Sequence, residues 1–146
     1  MNRSTEPIVV EQSFKSSLQT VWNAITELDQ MRLWFFENIE SFIPEVGFET
    51  QFNVESEQRD FLHIWKLTEV DPLKKIRYLW KYGGFSGESF VSFELSEQNK
   101  HTVLQLICEG LENFPNDIPE FTRDSCIAGW NYFIKDRLRI YLQKKS

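Results

Sequence analysis

The segment FLHIWKLTEVDPLKKIRYLWKY, residues 61–82, contains two runs in which apolar and polar side chains alternate. A period of two residues is typical of a β-strand that turns one face toward a core. The first run is predicted to end at Asp71-Pro72, because proline has no N–H to donate to a strand ladder. The second run carries its large side chains on one face: Ile76, Tyr78, Trp80 and Tyr82. Strands joined by so short a turn pair antiparallel, so the segment predicts a hairpin within a larger sheet.

Further strands are predicted on both sides of this hairpin. Alternation over residues 8–14 and, more regularly, over residues 48–55 indicates two strands before it. After the turn at Gly83-Gly84, two more strands present the inward residues Val91, Phe93 and Leu95, then Leu104, Leu106 and Cys108. Polar runs at residues 56–60 and 98–101 are predicted turns, so the chain is expected to form an antiparallel meander.

Two short helices are predicted between the first strand and the meander. Ser16 and Gln19 have the spacing of a capping box, followed by an apolar stripe at helical spacing that comprises Leu18, Val21, Trp22, Ile25 and Leu28. Asp29 is predicted to cap a second short helix that runs through Met31, Leu33, Trp34 and Phe36. The segment 33–36 is either the lip of a binding pocket or a packed hinge.

One long helix is predicted to close the chain, from about Ile118 to Gln143. Asp117, followed by Pro119 and Glu120, is a plausible start, and apolar residues recur at helical spacing through Ile127, Trp130, Ile134, Leu138 and Tyr141, flanked by Phe133 and Leu142. Basic residues crowd the second half: Lys135, Arg137, Arg139, Lys144 and Lys145. We interpret them as a solvated helix end, with a partner site as the alternative.

Composition limits the class of protein. The chain has 146 residues, 41% hydrophobic and 26% charged, which predicts one globular domain over residues 1–146. With 16 Lys and Arg against 22 Asp and Glu, the net charge of −6 argues against a nucleic-acid binder. No apolar run is long enough to span a membrane. The two cysteines lie outside any Cys-x-x-Cys motif and no apolar leader follows Met1, so we expect a cytoplasmic protein.

The central segment also carries a family resemblance. The run Leu67-Thr68-Glu69-Val70-Asp71-Pro72, with Lys75-Ile76, Tyr78 and Trp80, is similar to the central signature of the family named for the activator of the heat-shock-protein-ninety ATPase. Residues 89–95, residues 102–110 and Gly129-Trp130 resemble its later strands and its closing helix. The resemblance implies the α+β helix-grip, or START-like, fold: a curved antiparallel sheet of about six or seven strands wrapped around a long C-terminal helix, with two short helices after the first strand.

The resemblance also implies a function. Related proteins hold apolar or aromatic small molecules in a hollow between sheet and helix, a minority assist polyketide cyclisation, and the founding member is a co-chaperone. Cys108 stands where relatives often have histidine, so no role of that histidine carries over. We therefore predict non-catalytic binding of a small apolar or aromatic molecule by a monomer or weak dimer. The alternatives are a chaperone-associated interaction protein and a polyketide-cyclase-like enzyme.

The candidate ligand-binding residues follow from strand parity and helix phase. Large rings that point into one space are either packed together as core or arranged around a hollow. His63 shares the inward parity of Trp65, so it is either a satisfied core histidine or a ligand contact. The predicted set is Trp34, Phe52, His63, Trp65, Tyr78, Trp80, Phe93, Leu106, Cys108, Trp130 and Phe133. No catalytic residue, metal site or cofactor is predicted, since the only histidines, His63 and His101, lack zinc-site spacing.

Overall fold

The computed structural model describes residues 6–55, 60–115, 117–118 and 121–145. Within them, six strands form one sheet: β1 Ile8–Phe14, β2 Glu49–Glu55, β3 Asp60–Asp71, β4 Lys75–Tyr82, β5 Ser89–Gln98 and β6 His101–Glu109. The spatial order is β1-β6-β5-β4-β3-β2, and every neighbouring pair is antiparallel. The predicted hairpin turn at residues 56–60 lies outside the described residues except for Asp60, where β3 begins.

The predicted alternation decides which face of the sheet is buried. In the central hairpin, Trp65 pairs with Trp80 and Leu67 pairs with Tyr78, and all four side chains lie on the buried face. The β3–β4 register then shifts between Leu67 and Glu69, which marks an irregularity of the β-bulge type. A bulge bends and twists its strand, so this position helps to curve the sheet around the helices.

Two helices, α1 Leu18–Thr26 and α2 Leu28–Trp34, follow β1 as predicted, but both predicted caps are wrong. The N-cap of α1 is Ser17, whose Oγ accepts from the Thr20 N–H at 3.2 Å. Ser16 is instead held outside the helix, because its carbonyl accepts a 2.7 Å hydrogen bond from the buried Thr102 hydroxyl. In α2 the chain continues almost directly from α1, so Glu27 is the N-cap and Asp29 falls in the first turn.

The two short helices are tied to each other by a buried side chain. The Trp34 Nε1 donates to the Ala24 carbonyl at 2.7 Å, and the Trp34 indole has no exposed surface. Ala24 lies near the end of α1, where helix carbonyls lack partners within the helix. This bond therefore fixes the angle at which α2 leaves α1.

The C-terminal helix consists of three consecutive segments: α-helical Arg123–Asn131, π-helical Tyr132–Leu138 and α-helical Arg139–Lys145. Its predicted start at Ile118 is wrong. The N-cap is Thr122, whose Oγ1 accepts from the Ser125 N–H at 3.2 Å, while Pro119 and Glu120 lie outside the described residues. None of the described helices is long and apolar enough to cross a bilayer. The helix-grip architecture expected from the sequence is thereby confirmed.

Aromatic rings fill much of the space between the sheet and the helices. Trp65 is the centre of this ring cluster: its ring centroid lies 4.8 Å from Phe52, 4.9 Å from Tyr78 and 5.0 Å from Trp80. These separations and tilted or edge-to-face angles are those of favourable aromatic pairs. A smaller apolar cluster of Phe61, Phe114 and Phe121 closes the neighbouring end of the sheet.

Candidate functional site

A pocket of about 160 Å³ lies between the sheet and the first half of the C-terminal helix. Its walls come from strands β3 to β6, the segment after β6, Phe36 just beyond α2, and the C-terminal helix. The lining residues are Phe36, His63, Trp80, Tyr82, Ser89, Val91, Cys108, Leu111, Phe114, Ser125, Cys126, Gly129, Trp130 and Phe133. Most of them are aromatic or aliphatic, with a few hydroxyl, thiol and imidazole groups, which is the usual make-up of a small-molecule site.

Among the described residues that line the pocket, His63 is the one titratable base. Its ring is enclosed by Phe52, Tyr82 and Phe36, with centroids 5.2, 4.9 and 5.1 Å away. Its Nδ1 lies 3.1 Å from the Phe61 carbonyl oxygen, which can only accept. The hydrogen-bond network therefore assigns the proton to Nδ1 and leaves Nε2 as an acceptor.

Burial keeps the His63 imidazole neutral. Loss of hydration lowers its pKa from 6.5 to about 4, and the hydrogen bond to the Phe61 carbonyl only partly opposes this shift. A general base works best when its pKa is near the operating pH. At neutral pH His63 is therefore a neutral hydrogen-bonding group rather than a well-matched acid or base.

The other titratable groups of the pocket are also held in their neutral forms. Burial, reinforced by the neighbouring Cys126, raises the pKa of Cys108 to about 12. Burial likewise raises the pKa of Cys126 to about 11 and moves that of Tyr82 above its ordinary range. Because the thiolate is the reactive form of cysteine, two protonated thiols make poor nucleophiles. Among the described residues, no three His, Cys, Asp or Glu side chains cluster to hold a metal ion.

Two indole N–H groups near the pocket have no hydrogen-bond partner within the described part of the chain. They are Nε1 of Trp65 and Nε1 of Trp80, both fully buried. The Tyr82 hydroxyl lies near the Trp80 side chain, which opposes the rise of the tyrosine pKa, but no hydrogen bond of good geometry joins them. An unsatisfied buried donor costs about 1–3 kcal/mol, so these groups are retained at some expense of stability.

The structure divides the predicted binding residues into two groups. On the pocket wall lie His63, Trp80, Cys108, Trp130 and Phe133. The remaining members are buried in the core outside the pocket lining: Trp34, Phe52, Trp65, Tyr78, Phe93 and Leu106. The space between sheet and helix is thus partly solid ring cluster and partly hollow. Whether the residues on the pocket wall contact a ligand stays a prediction.

Sequence reasoning left several lining residues out of the predicted set. Tyr82 and Val91 have the right strand parity, and Phe36 lies in the segment recognised as lip or hinge, while Leu33 in that segment is exposed. Leu111 and Phe114 follow β6 in a short 3₁₀ turn that has no periodic signal. Ser125, Cys126 and Gly129 are polar or small helix positions, so an apolar-stripe criterion passes over them.

The lowered pKa of His63 predicts a pH dependence of stability. The unfolded chain takes up a proton near pH 6.5, whereas the folded ring does so only near pH 4. Between these values the unfolded state binds more protons, so the free energy of unfolding falls as the pH is lowered. The total loss is at most about 3 kcal/mol and is complete below the folded-state pKa.

Chemical denaturation at several pH values checks this expectation when the protein is compared with His63→Phe. The phenyl ring fits the aromatic surroundings but cannot titrate. The part of the pH dependence of the unfolding free energy that comes from His63 should therefore be absent from the variant. Carboxylates titrate alike in both proteins and cancel in the difference. Parallel stability profiles for the two proteins would contradict the buried neutral imidazole.

Comparisons with known proteins agree with this architecture. The model of the family described as activator of Hsp90 ATPase homolog 1-like protein matches residues 15–143. No curated protein shows a significant match to the chain. Protein CV1439 from Chromobacterium violaceum superposes with a TM-score of 0.78 at 18% identity, over 94% of this chain and 97% of that protein. The Aha1 dimer from Colwellia psychrerythraea gives 0.69 at 18% identity, over 93% and 95%.

A third similar structure is DynU16, a putative protein in the dynemicin biosynthetic locus. It superposes with a TM-score of 0.76 at 20% identity and covers 97% of this chain, but only 48% of DynU16 is matched. The chain therefore spans about half the length of that relative. At these identities the similarity concerns the fold.

Proposed function

Because the chain belongs to the activator of Hsp90 ATPase homolog 1-like family, we propose that it binds a small apolar or aromatic molecule in the pocket between the sheet and the C-terminal helix. The observation that carries the proposal is a hollow of about 160 Å³ beside a close-packed ring cluster. Its wall is largely aromatic, and its polar groups are neutral. Such a surface gains free energy by burying an apolar ligand, at roughly 25 cal/mol per Å² of area removed from water.

The volume limits the size of the ligand. A cavity of about 150 Å³ lined by apolar side chains accommodates benzene. The present pocket is of this order, so it suits one or two fused rings rather than a long acyl chain. His63 Nε2 can accept a hydrogen bond and the Tyr82 hydroxyl can donate one, so a ligand with a single hydroxyl fits the polar groups of the wall.

The electrostatics of the wall favour binding over chemistry. None of the described lining residues is a carboxylate, His63 is neutral with a pKa of about 4, and the thiols are protonated. The chaperone-associated and cyclase-like alternatives therefore stay predictions that no lining residue favours. We keep the monomer or weak dimer, and the cytoplasmic location, as parts of the same proposal; a dimer is known for the Colwellia relative.

Gly129 allows a test that does not depend on damaging the core. It lines the pocket from the C-terminal helix, and a Cβ built on it meets no atom within 4 Å. Gly129→Leu is expected to fill part of the hollow while leaving the helix intact. Gly129→Ala adds only a methyl group and should stabilise the helix by up to about 1 kcal/mol.

The probe is 2-naphthol, a small uncharged aromatic alcohol whose fluorescence reports binding. We expect saturable binding to the protein and to Gly129→Ala, and affinity at least tenfold weaker for Gly129→Leu, roughly 1.4 kcal/mol or more. Native mass spectrometry of freshly purified protein, with extraction of anything bound, identifies the natural ligand. Equal binding to Gly129→Leu and Gly129→Ala would place the probe elsewhere and remove the support for this pocket.

A further inference from the structure

A second cleft lies where the end of β1, the start of β6 and the last turns of the C-terminal helix meet. Its volume is about 350 Å³, roughly twice that of the aromatic pocket, and the two share no lining residue. Three basic side chains from distant parts of the chain line it: Lys15, His101 and Arg139. The sequence alone assigned Arg139 to a solvated helix end.

The charge of this cleft contrasts with that of the whole protein. No carboxylate is among its described lining residues, although the chain carries a net charge of −6. Arg139 donates to the Lys135 carbonyl at 2.8 Å and to the Gln143 side-chain oxygen at 3.4 Å, both uncharged acceptors. Lys15 is exposed. Its ammonium group has no described ion pair. The positive charge is therefore not neutralised locally and is available to an anion.

Hydroxyl and apolar groups complete the surface. Ser13 and Ser16 also line the cleft, on either side of Phe14 and Lys15 in the sequence. Phe14 and Leu142 lie at the base of the cleft and are packed into the core, with only 5% and 2% of their surface exposed. His101 commits Nδ1 to the Asn99 carbonyl at 3.0 Å, so it donates to an anion only when Nε2 is protonated as well. The volume of about 350 Å³ leaves room for an organic group beside the anion.

We propose that this cleft binds a small soluble phosphate monoester. The planar Arg139 guanidinium pairs with two phosphoryl oxygens, and Lys15 supplies a point charge. Serine hydroxyls are suitable donors to the remaining oxygen. The organic substituent of the ester occupies the remaining volume of the cleft. The inference is independent of the aromatic pocket, since either site can be occupied without the other.

Calorimetric titration with monobutyl phosphate at low ionic strength tests the proposal. Arg139→Gln and Lys15→Gln should each weaken binding roughly tenfold, because each removes a charge-assisted contact. Lys66→Gln is the matched control: it removes the same charge from an exposed position on β3 and should leave the affinity unchanged. Lys15 has no described partner to lose, so its variant stays informative if Arg139→Gln unfolds.

Three outcomes would overturn the proposal. One is the absence of saturable binding; another is equal weakening by Lys66→Gln, which would indicate a general charge effect. The third is co-sedimentation of the protein with phosphatidic acid vesicles that butyl phosphate does not reverse. That result would identify a lipid headgroup site. Gly129→Leu should leave the affinity for butyl phosphate unchanged, since Gly129 lines the aromatic pocket and not this cleft.

Discussion

Replacing Trp65 by alanine is expected to lower the free energy of unfolding by about 3–5 kcal/mol. The side chain is 1% exposed and lies at the centre of the ring cluster, between Phe52, Tyr78 and Trp80. Rings on several sides cannot all move inward, because they are held by different strands. Most of the vacated volume therefore stays empty, and the cost approaches the upper part of this range. Urea denaturation monitored by circular dichroism gives the value.

Two further variants separate the contributions at this position. Trp65→Phe keeps an aromatic ring and removes the Nε1 donor that lacks a partner, so its net cost should be about 1 kcal/mol or less. Leu33→Ala is the surface control: Leu33 is a large apolar residue that is 61% exposed, and its truncation should change stability by no more than about 0.5 kcal/mol. A Trp65→Ala variant as stable as Leu33→Ala would mean that the cluster is not close-packed.

Gly87→Ala is expected to cost about 3–5 kcal/mol for a different reason, the combination of backbone strain and steric overlap. Gly87 has φ +101, a conformation that side chains disfavour. A Cβ there would also overlap the Asn113 carbonyl oxygen and lie 2.7 Å from its carbonyl carbon. The opposing atoms belong to the backbone and cannot rotate away. The β4–β5 turn or the segment after β6 must therefore shift.

Gly84 in the same turn provides the matched control. It has φ +84, but a Cβ there meets nothing within 4 Å, so Gly84→Ala isolates the conformational cost of about 1–2 kcal/mol. The difference between the two variants measures the close approach of the turn to residue 113. Equal losses for the two variants would show that this approach is looser than the structure indicates.

The same contact matters for ligand binding. Gly87 approaches Asn113 and Phe114, and Phe114 lines the aromatic pocket together with Leu111. Without a side chain at Gly87, the 3₁₀ turn Leu111–Asn113 can lie against the β4–β5 turn and close one side of the pocket. We therefore expect Gly87→Ala to weaken 2-naphthol binding as well as stability, whereas Gly84→Ala should retain the affinity.

Local sequence patterns predict some features of this fold, and contacts between distant residues decide others. The inward residues of β3 and β4 follow from alternation alone, since successive side chains of a strand point to opposite faces in any context. Spacing to Gln19 favours Ser16 as the cap of α1, but the Thr102 hydroxyl on β6 donates to the Ser16 carbonyl, and Ser17 caps the helix instead. No pattern within residues 16–19 contains that information.

The candidate sites show the same division. Parity places Trp65 and Trp80 on the buried face but does not say that Trp80 borders a hollow while Trp65 is surrounded by rings. Lys15 follows β1, His101 begins β6 and Arg139 lies in the C-terminal helix, so only folding brings them into one cleft. Gly129 contributes to the pocket because it has no side chain and so leaves space open, a property that no hydrophobicity pattern shows.

The amino-acid sequence by itself determined the order of the elements and the buried faces of the strands, because these depend on the local periodicity of apolar side chains, while its resemblance to a known family implied the helix-grip class. The tertiary structure alone decided where rings touch, where a volume of about 160 Å³ stays open, and which cations share a cleft. Empty space is the small difference between the volume enclosed by distant elements and the volume of the side chains inside. That difference depends on register, on the bulge in β3 and on the placement of the C-terminal helix.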